Sequence, residues 1–346
     1  MNSKQWIKNY FLIVFLFLLS ISLFNIIIDP LGIFKHSFHF NSLQNGFNER
    51  LQKTAQIKYK ENINDYNTIL LGSSRVTYYN KKSFGELKVF NYSFSDGNPN
   101  EYSKYIEFTK ELKNKPFKNI ILGLDFFSTS LNNQRIDDKS LELVKSNKVL
   151  LNFLSFDLTK QSIKNIKKSI NKSPQHRAYT REDIAITKIE DKQSVRKVAE
   201  KRAINYKNYE NYYYNEKYKD ILLDLKDKNK TSNFIIFTTP LSKPFLNRIF
   251  NDTQLYNSYY RWIKDMVYTF DEIYFFTYKN KFSEFYDILS KDGDHYYPES
   301  VKEISTLISG EKGLEQTGII INHTNLDEML EYLKKINGYK KGNNKR

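Results

Sequence analysis

The chain has 346 residues, a formal charge of +15, 40% hydrophobic and 16% aromatic residues, and no cysteine. This size and apolar share support a real core, in one large α/β domain with a decoration or in two small domains. The missing cysteines exclude disulfides, thiolate chemistry and lipid attachment through cysteine. The positive charge suits anionic lipid or an anionic surface polymer, whereas no helix-turn-helix, zinc-finger or RNA-binding aromatic signature points to nucleic acid.

In chain order, the first element is the run 11–28, FLIVFLFLLSISLFNIII, eighteen residues without a charge. With Asn9 and Tyr10 added it reaches about 30 Å as a helix, the thickness of a hydrocarbon core. A cleaved signal sequence and a buried core helix share this composition. Here the run is longer than an ordinary signal h-region and ends in bulky isoleucines and Asp29-Pro30 rather than small residues, which favours a retained transmembrane helix. Lys4 and Lys8 precede the run, so residues 1–10 are expected in the cytoplasm and the main domain outside it, with the lipid bilayer as one partner.

Residues 29–60 read as a juxtamembrane connector that turns helical at 47–60. Apolar runs at 67–71, 88–92, 119–124, 233–238 and 272–277 then alternate with helical patterns at 100–112, about 196–224, 256–269 and 299–307. That alternation predicts an α/β domain over 61–310 with a mostly parallel five-stranded sheet covered by helices. The third and fourth runs are separated by more than an ordinary crossover allows, so about 129–195 is expected to be a helical insertion. It contains LVKSNKVLLNFLSFDLTKQSIKNIKKSI, apolar at helical spacing with a lysine-rich opposite face. A solvated face accounts for those lysines; a basic lid facing substrate or membrane is the alternative. Residues 311–346 form a C-terminal extension with one helix at 325–335 and a polar, basic end.

Two segments carry candidate chemistry. The strand-like NTILL runs into Gly72-Ser73-Ser74-Arg75, and a serine there can open the next helix, where backbone N–H groups stabilise an anion. A plain turn explains the same residues. Further on, Asp292-Gly293-Asp294-His295 precedes Pro298, which suits the first turn of a helix. An aspartate three residues before His295 can accept its Nδ1 proton and leave Nε2 for a serine hydroxyl; capping aspartates beside a surface histidine are the plainer account. His36, His39, His176, His295 and His323 show no metal-ligand spacing, and there is no P-loop or dinucleotide fingerprint, so no metal or other cofactor is expected.

Together these segments resemble the SGNH or GDSL hydrolase superfamily, in a divergent membrane-anchored branch. The resemblance implies a three-layer α/β/α, flavodoxin-like domain with Ser74 as nucleophile, at the third position of the Gly72-Ser73-Ser74 block. His295 would be the base and Asp292 its orienting acid. It also implies oxyanion donors at Ser74 and Gly97, and at Asp125, which stands where the family has asparagine and donates only if protonated. Arg75 and Asn98 are alternative donors or substrate-binding groups, although a salt bridge explains Arg75 equally well. The implied activity is serine-dependent acyl esterase or O-acyltransferase chemistry on O-acyl groups of a cell-surface or envelope polysaccharide, beside a multi-pass membrane O-acyltransferase partner. A catalytically inactive envelope-assembly or glycan-binding protein on the same fold is the alternative.

Overall fold

The computed structural model describes residues 2–134, 136–172, 174, 176–310 and 317–338. The chain forms two compact units, one made of residues 1–62 and 137–188 and the other of 63–136 and 189–346.

In the first unit, the apolar run lies within a longer helix, Ser3–Ile28, which is long and apolar enough to cross a membrane. Most of its surface is bare apolar side chain, from Trp6 to Leu23, and only Ile21, Asn25 and Ile28 are buried. Asp29 ends it in a left-handed conformation. The Asp29 carboxylate accepts from the backbone N–H groups of Ile33 and Phe34 at 3.0 and 2.9 Å and pairs with Arg181 at 2.5 Å. Residues 29–60 are more than a connector: strand Leu43–Asn45 pairs antiparallel with Ala178–Thr180, which pairs in turn with Ala185–Ile186. Helix Glu49–Tyr59 follows, its N-terminus capped by Asn48. The segment expected to be a helical insertion thus contributes two strands as well as helices Lys139–Lys145 and Phe156–Asn171.

The second unit is α/β around a mixed six-stranded sheet. In spatial order the strands are Val89–Asn91, Thr68–Gly72, Asn119–Leu124, Asn233–Thr238, Glu272–Phe275 and Ile319–Asn322. The first five neighbours run parallel, and the last pairs antiparallel with Glu272–Phe275. Thr68–Gly72 and Asn119–Leu124 are buried along their whole length, which is why their sequences are continuous apolar runs. The expectation of five strands missed Ile319–Asn322. That four-residue run has no alternation to announce it, and its register comes from the neighbouring strand. Of the extension, 311–316 and 339–346 lie outside the described residues; the rest supplies this strand and helix Leu326–Asn337.

The helix expected at about 196–224 is two helices, Lys192–Ile204 and Tyr218–Asp227. Between them Tyr209, Tyr212 and Tyr214 turn inward, and Tyr212 and Tyr214 hydrogen-bond Thr129 and Asp265 at 2.7 Å each. Burying three large rings, two of them with paired hydroxyls, outweighs the helical propensity of the segment. Helices Lys243–Phe250, Lys281–Glu284 and Tyr286–Leu289 were not anticipated.

Numbering the five parallel strands along the chain gives the order 2-1-3-4-5. The order reverses between Thr68–Gly72 and Asn119–Leu124, so the loops beyond their carboxyl ends flank a topological switch point, where ligands bind in open α/β sheets. Those loops carry Ser73, Ser74 and Arg75 on one side and Asp125 on the other.

Candidate active site

Ser74 leaves the end of strand Thr68–Gly72 half-buried, and a single 3-10 turn, Val76–Tyr78, follows it in place of the expected α-helix. The backbone N–H of Val76 donates to Ser73 O at 3.0 Å, and Thr77 Oγ1 donates to Ser74 O at 2.6 Å, which hold the turn. Opposite lies the 290–296 loop, closed by the N–H of Lys291 donating to His295 O at 2.8 Å. Gly293 allows this loop its sharp bend: its φ is +92°, and a Cβ there would meet Ala199 Cβ at 2.6 Å. Buried Tyr296, anchored by its hydroxyl to Phe282 O at 2.9 Å, and helix Pro298–Ile308 fix the far side.

These two loops bring Ser74 Oγ to 2.8 Å from His295 Nε2. Asp292 lies on the other side of the ring, its carboxylate oxygens 3.1 and 3.0 Å from Nδ1, and it also accepts the backbone N–H of His295 at 3.0 Å. Asp294 Oδ1 stands 3.1 Å from the same Nδ1. An edge-on Tyr78 ring packs 6.0 Å from the imidazole. Both side chains of the His295–Asp292 pair are mostly covered, so their attraction is weakly screened.

Burial alone would push the His295 imidazole down, but the charges and hydrogen bonds of Asp292 and Asp294 outweigh it and raise its pKa from 6.5 to about 9. Asp294 moves the opposite way: burial opposes its charge, yet His295, Arg75 and Arg202 hold it well below the usual carboxylate range. At neutral pH His295 therefore rests protonated, and only its neutral form takes a proton from Ser74. Ester turnover that depends on this base is expected to rise about tenfold per pH unit through the neutral range and level off near pH 9, as read from kcat/KM against pH. Because the folded-state value is raised, His295 contributes stability that is fully present below about pH 6.5 and is lost as the pH climbs through 9.

The other candidates already have partners of their own. Gly97 packs against the serine-bearing strand so closely that a Cβ would meet Gly72 O at 2.4 Å, and its N–H donates to Phe94 O at 3.1 Å. Service as an oxyanion donor requires that bond to yield. Asp125, buried, accepts from Ser73 Oγ at 2.5 Å, from Arg75 Nη1 at 3.0 Å and from Thr239 Oγ1. Its carboxylate collects donors and offers none. Arg75 is buried between Asp125 and Asp294, at 3.0 and 3.1 Å, with Phe127 under its guanidinium, so its charge is already paired. Asn98 is buried as the N-cap of helix Pro99–Lys113, its amide donating to the carbonyls of Ser128 and Asn133 at 3.3 and 2.5 Å.

Sequence reasoning missed Asp294, Arg202 and Tyr206. Arg202 donates to both Asp294 oxygens at 2.8 and 3.0 Å and lies 3.7 Å from Asp292. Tyr206 OH accepts from Arg75 at 3.3 Å. Asp292, Asp294 and His295 have the composition of a metal cluster, but a cation there would meet the Arg75 and Arg202 guanidiniums and compete with the Ser74 contact. Next to the cluster, Lys201, Arg202, Asn205, Tyr206, Lys207 and Asn208 line a cavity of about 370 Å³ with three cationic side chains and no acid. Compared with family models, curated proteins and solved structures, the chain matches none.

Proposed function

We propose that the chain is a serine-dependent acyl esterase or O-acyltransferase that acts on O-acyl groups of a cell-surface or envelope polysaccharide. The observation that carries this reading is the Ser74–His295–Asp292 relay, drawn from loops 221 residues apart, with 2.8 Å between Oγ and Nε2 and 3.0 Å between Nδ1 and carboxylate. Its place at the switch point of a 2-1-3-4-5 sheet supports an SGNH-like three-layer domain. Neutral His295 takes the Ser74 proton as Oγ attacks the ester carbonyl. The imidazolium, steadied by Asp292, then returns that proton to the leaving alcohol. The acyl group leaves Ser74 for water or for a glycan hydroxyl. The cavity at 201–208, whose Arg202 contacts Asp294 and Asp292, offers an anionic stretch of glycan a basic seat. Helix Ser3–Ile28 holds the domain at the bilayer, with the N-terminus cytoplasmic and the domain extracytoplasmic, where a multi-pass O-acyltransferase is a fitting partner.

A second reading, a catalytically silent glycan-binding or assembly protein, is favoured by one feature: Gly97 N–H is engaged by Phe94 O and the Asp125 side chain is taken up by Ser73, Arg75 and Thr239, which leaves the oxyanion poorly served. Intact-mass measurement after treatment with a fluorophosphonate separates the two. A single adduct on Ser74, lost in Ser74→Ala and His295→Ala, is the expected result. An unlabelled but folded chain would move the assignment to the silent protein.

A further inference from the structure

The first unit, which does not contain the relay, carries a second apolar surface. Leu150, Leu151 and Leu154 of the turn Lys148–Leu154, and Phe156, Ile163 and Ile170 of helix Phe156–Asn171, are all exposed, Leu151 by 64% and Phe156 by 60%. The last three are seven residues apart, which aligns them on one face of the helix, and exposed Lys160, Lys164 and Lys167 rim that stripe. An amphipathic helix with bare apolar residues between lysines has the make-up of a segment lying in a lipid interface. A soluble surface seldom leaves so many large side chains together without a partner.

The contacts of this surface with helix Ser3–Ile28 select the partner. Asn25, buried within an otherwise apolar stretch, has its amide donating to Phe153 O at 2.9 Å and to Thr159 Oγ1 at 3.1 Å, while Ser162 Oγ donates to Asn25 Oδ1 at 2.8 Å. Those bonds satisfy a polar group that would be costly in hydrocarbon. The Phe156 ring reaches Phe17, at 6.1 Å between centroids. Phe17 is eight residues from Asn25, about 12 Å along the helix axis. A helix that crosses the bilayer with residues 11–28 holds Phe17 inside the apolar layer, and Phe156 goes there with it.

We infer that the 148–170 segment is a membrane foot: Leu150, Leu151, Leu154 and Phe156 enter the acyl region of the leaflet beside helix Ser3–Ile28, and Lys160, Lys164 and Lys167 meet anionic headgroups. This rests on the reading of Ser3–Ile28 as a membrane span. The foot gives the first unit two points of attachment to one leaflet, so the unit cannot swivel freely about a single helix.

The cysteine-free chain makes a direct test available. Leu151→Cys, Leu154→Cys, Ile13→Cys and Ile204→Cys, all at exposed positions, are each labelled with an environment-sensitive NBD group in the full chain. The chains are placed in vesicles of phosphatidylcholine and phosphatidylglycerol, and quenching by doxyl-labelled lipid is compared with quenching by iodide in water. The expected result is blue-shifted, doxyl-quenched emission at 13, 151 and 154, and iodide-quenched emission at 204. Doxyl quenching at 13 with iodide quenching at 151 and 154 overturns the foot while leaving the span intact. Iodide quenching at 13 overturns the span, and the foot with it.

Discussion

Ester turnover by the Ser74→Ala chain is expected to fall by about 10⁴-fold or more, with His295→Ala losing a similar amount and the double variant little beyond either single one. The non-additivity follows from the 2.8 Å Oγ–Nε2 contact: a base without its nucleophile, or a nucleophile without its base, has nothing left to lose. Asp292 and Asp294 both stand within 3.1 Å of His295 Nδ1, yet they are expected to behave differently. Asp292 reaches the ring with both oxygens and also receives the His295 backbone N–H, so Asp292→Asn is expected to turn the imidazole to the wrong tautomer and cost a comparable factor in kcat. Asp294 is already shared between Arg75 and Arg202, and Asp294→Asn is expected to act chiefly on folding. Initial rates with an activated ester, measured beside the fluorophosphonate labelling rate, check the series. Turnover that survives Ser74→Ala would rule out the serine mechanism.

Arg75→Met is expected to destabilise the chain by about 3–5 kcal/mol, because it leaves buried Asp125 without its cation and buried Asp294 with Arg202 alone. The side chains of Arg75, Asp125 and Asp294 are 3%, 1% and 2% exposed, so solvent does little to soften the loss. Ser73 and Thr239, which also donate to Asp125, compensate only part of it. Denaturant titration followed by the fluorescence of buried Trp262, in the same unit, reads the change. A substrate-binding Arg75 would instead raise KM and leave the denaturation midpoint in place, an outcome that would refute the structural role assigned to it here.

Several parts of this arrangement were legible in the sequence for local reasons. Strands Thr68–Gly72 and Asn119–Leu124 are fully buried and so read as unbroken apolar runs. Ser74 and His295 sit in polar loops beside such runs or just before a helix-opening proline, where turn chemistry is readable over a few residues. The role of Asp125 was not: its place after Asn119–Leu124 was visible, but its partners Ser73, Arg75 and Thr239 lie 52, 50 and 114 residues away along the chain. Nothing within a turn of Arg202 shows that Asp294, 92 residues away, accepts from its guanidinium. The break in the 192–227 region has the same origin, since the hydroxyls of buried Tyr212 and Tyr214 find their partners, Thr129 and Asp265, on other elements.

Taken alone, the sequence determined the apolar N-terminal helix, the α/β alternation and the short list of candidate site residues, all of which depend on periodicity and on neighbours a few positions apart. Tertiary structure decided that Ser73 turns to Asp125, that Arg75 is a buried cation held by two carboxylates, and that an antiparallel edge strand completes the sheet. Those outcomes depend on which charges and hydroxyls come within about 3 Å of one another after burial, where a hydrogen bond to a charged group is worth about 1.5–3 kcal/mol and a missing one costs as much. Spacing along the chain carries no record of such distances.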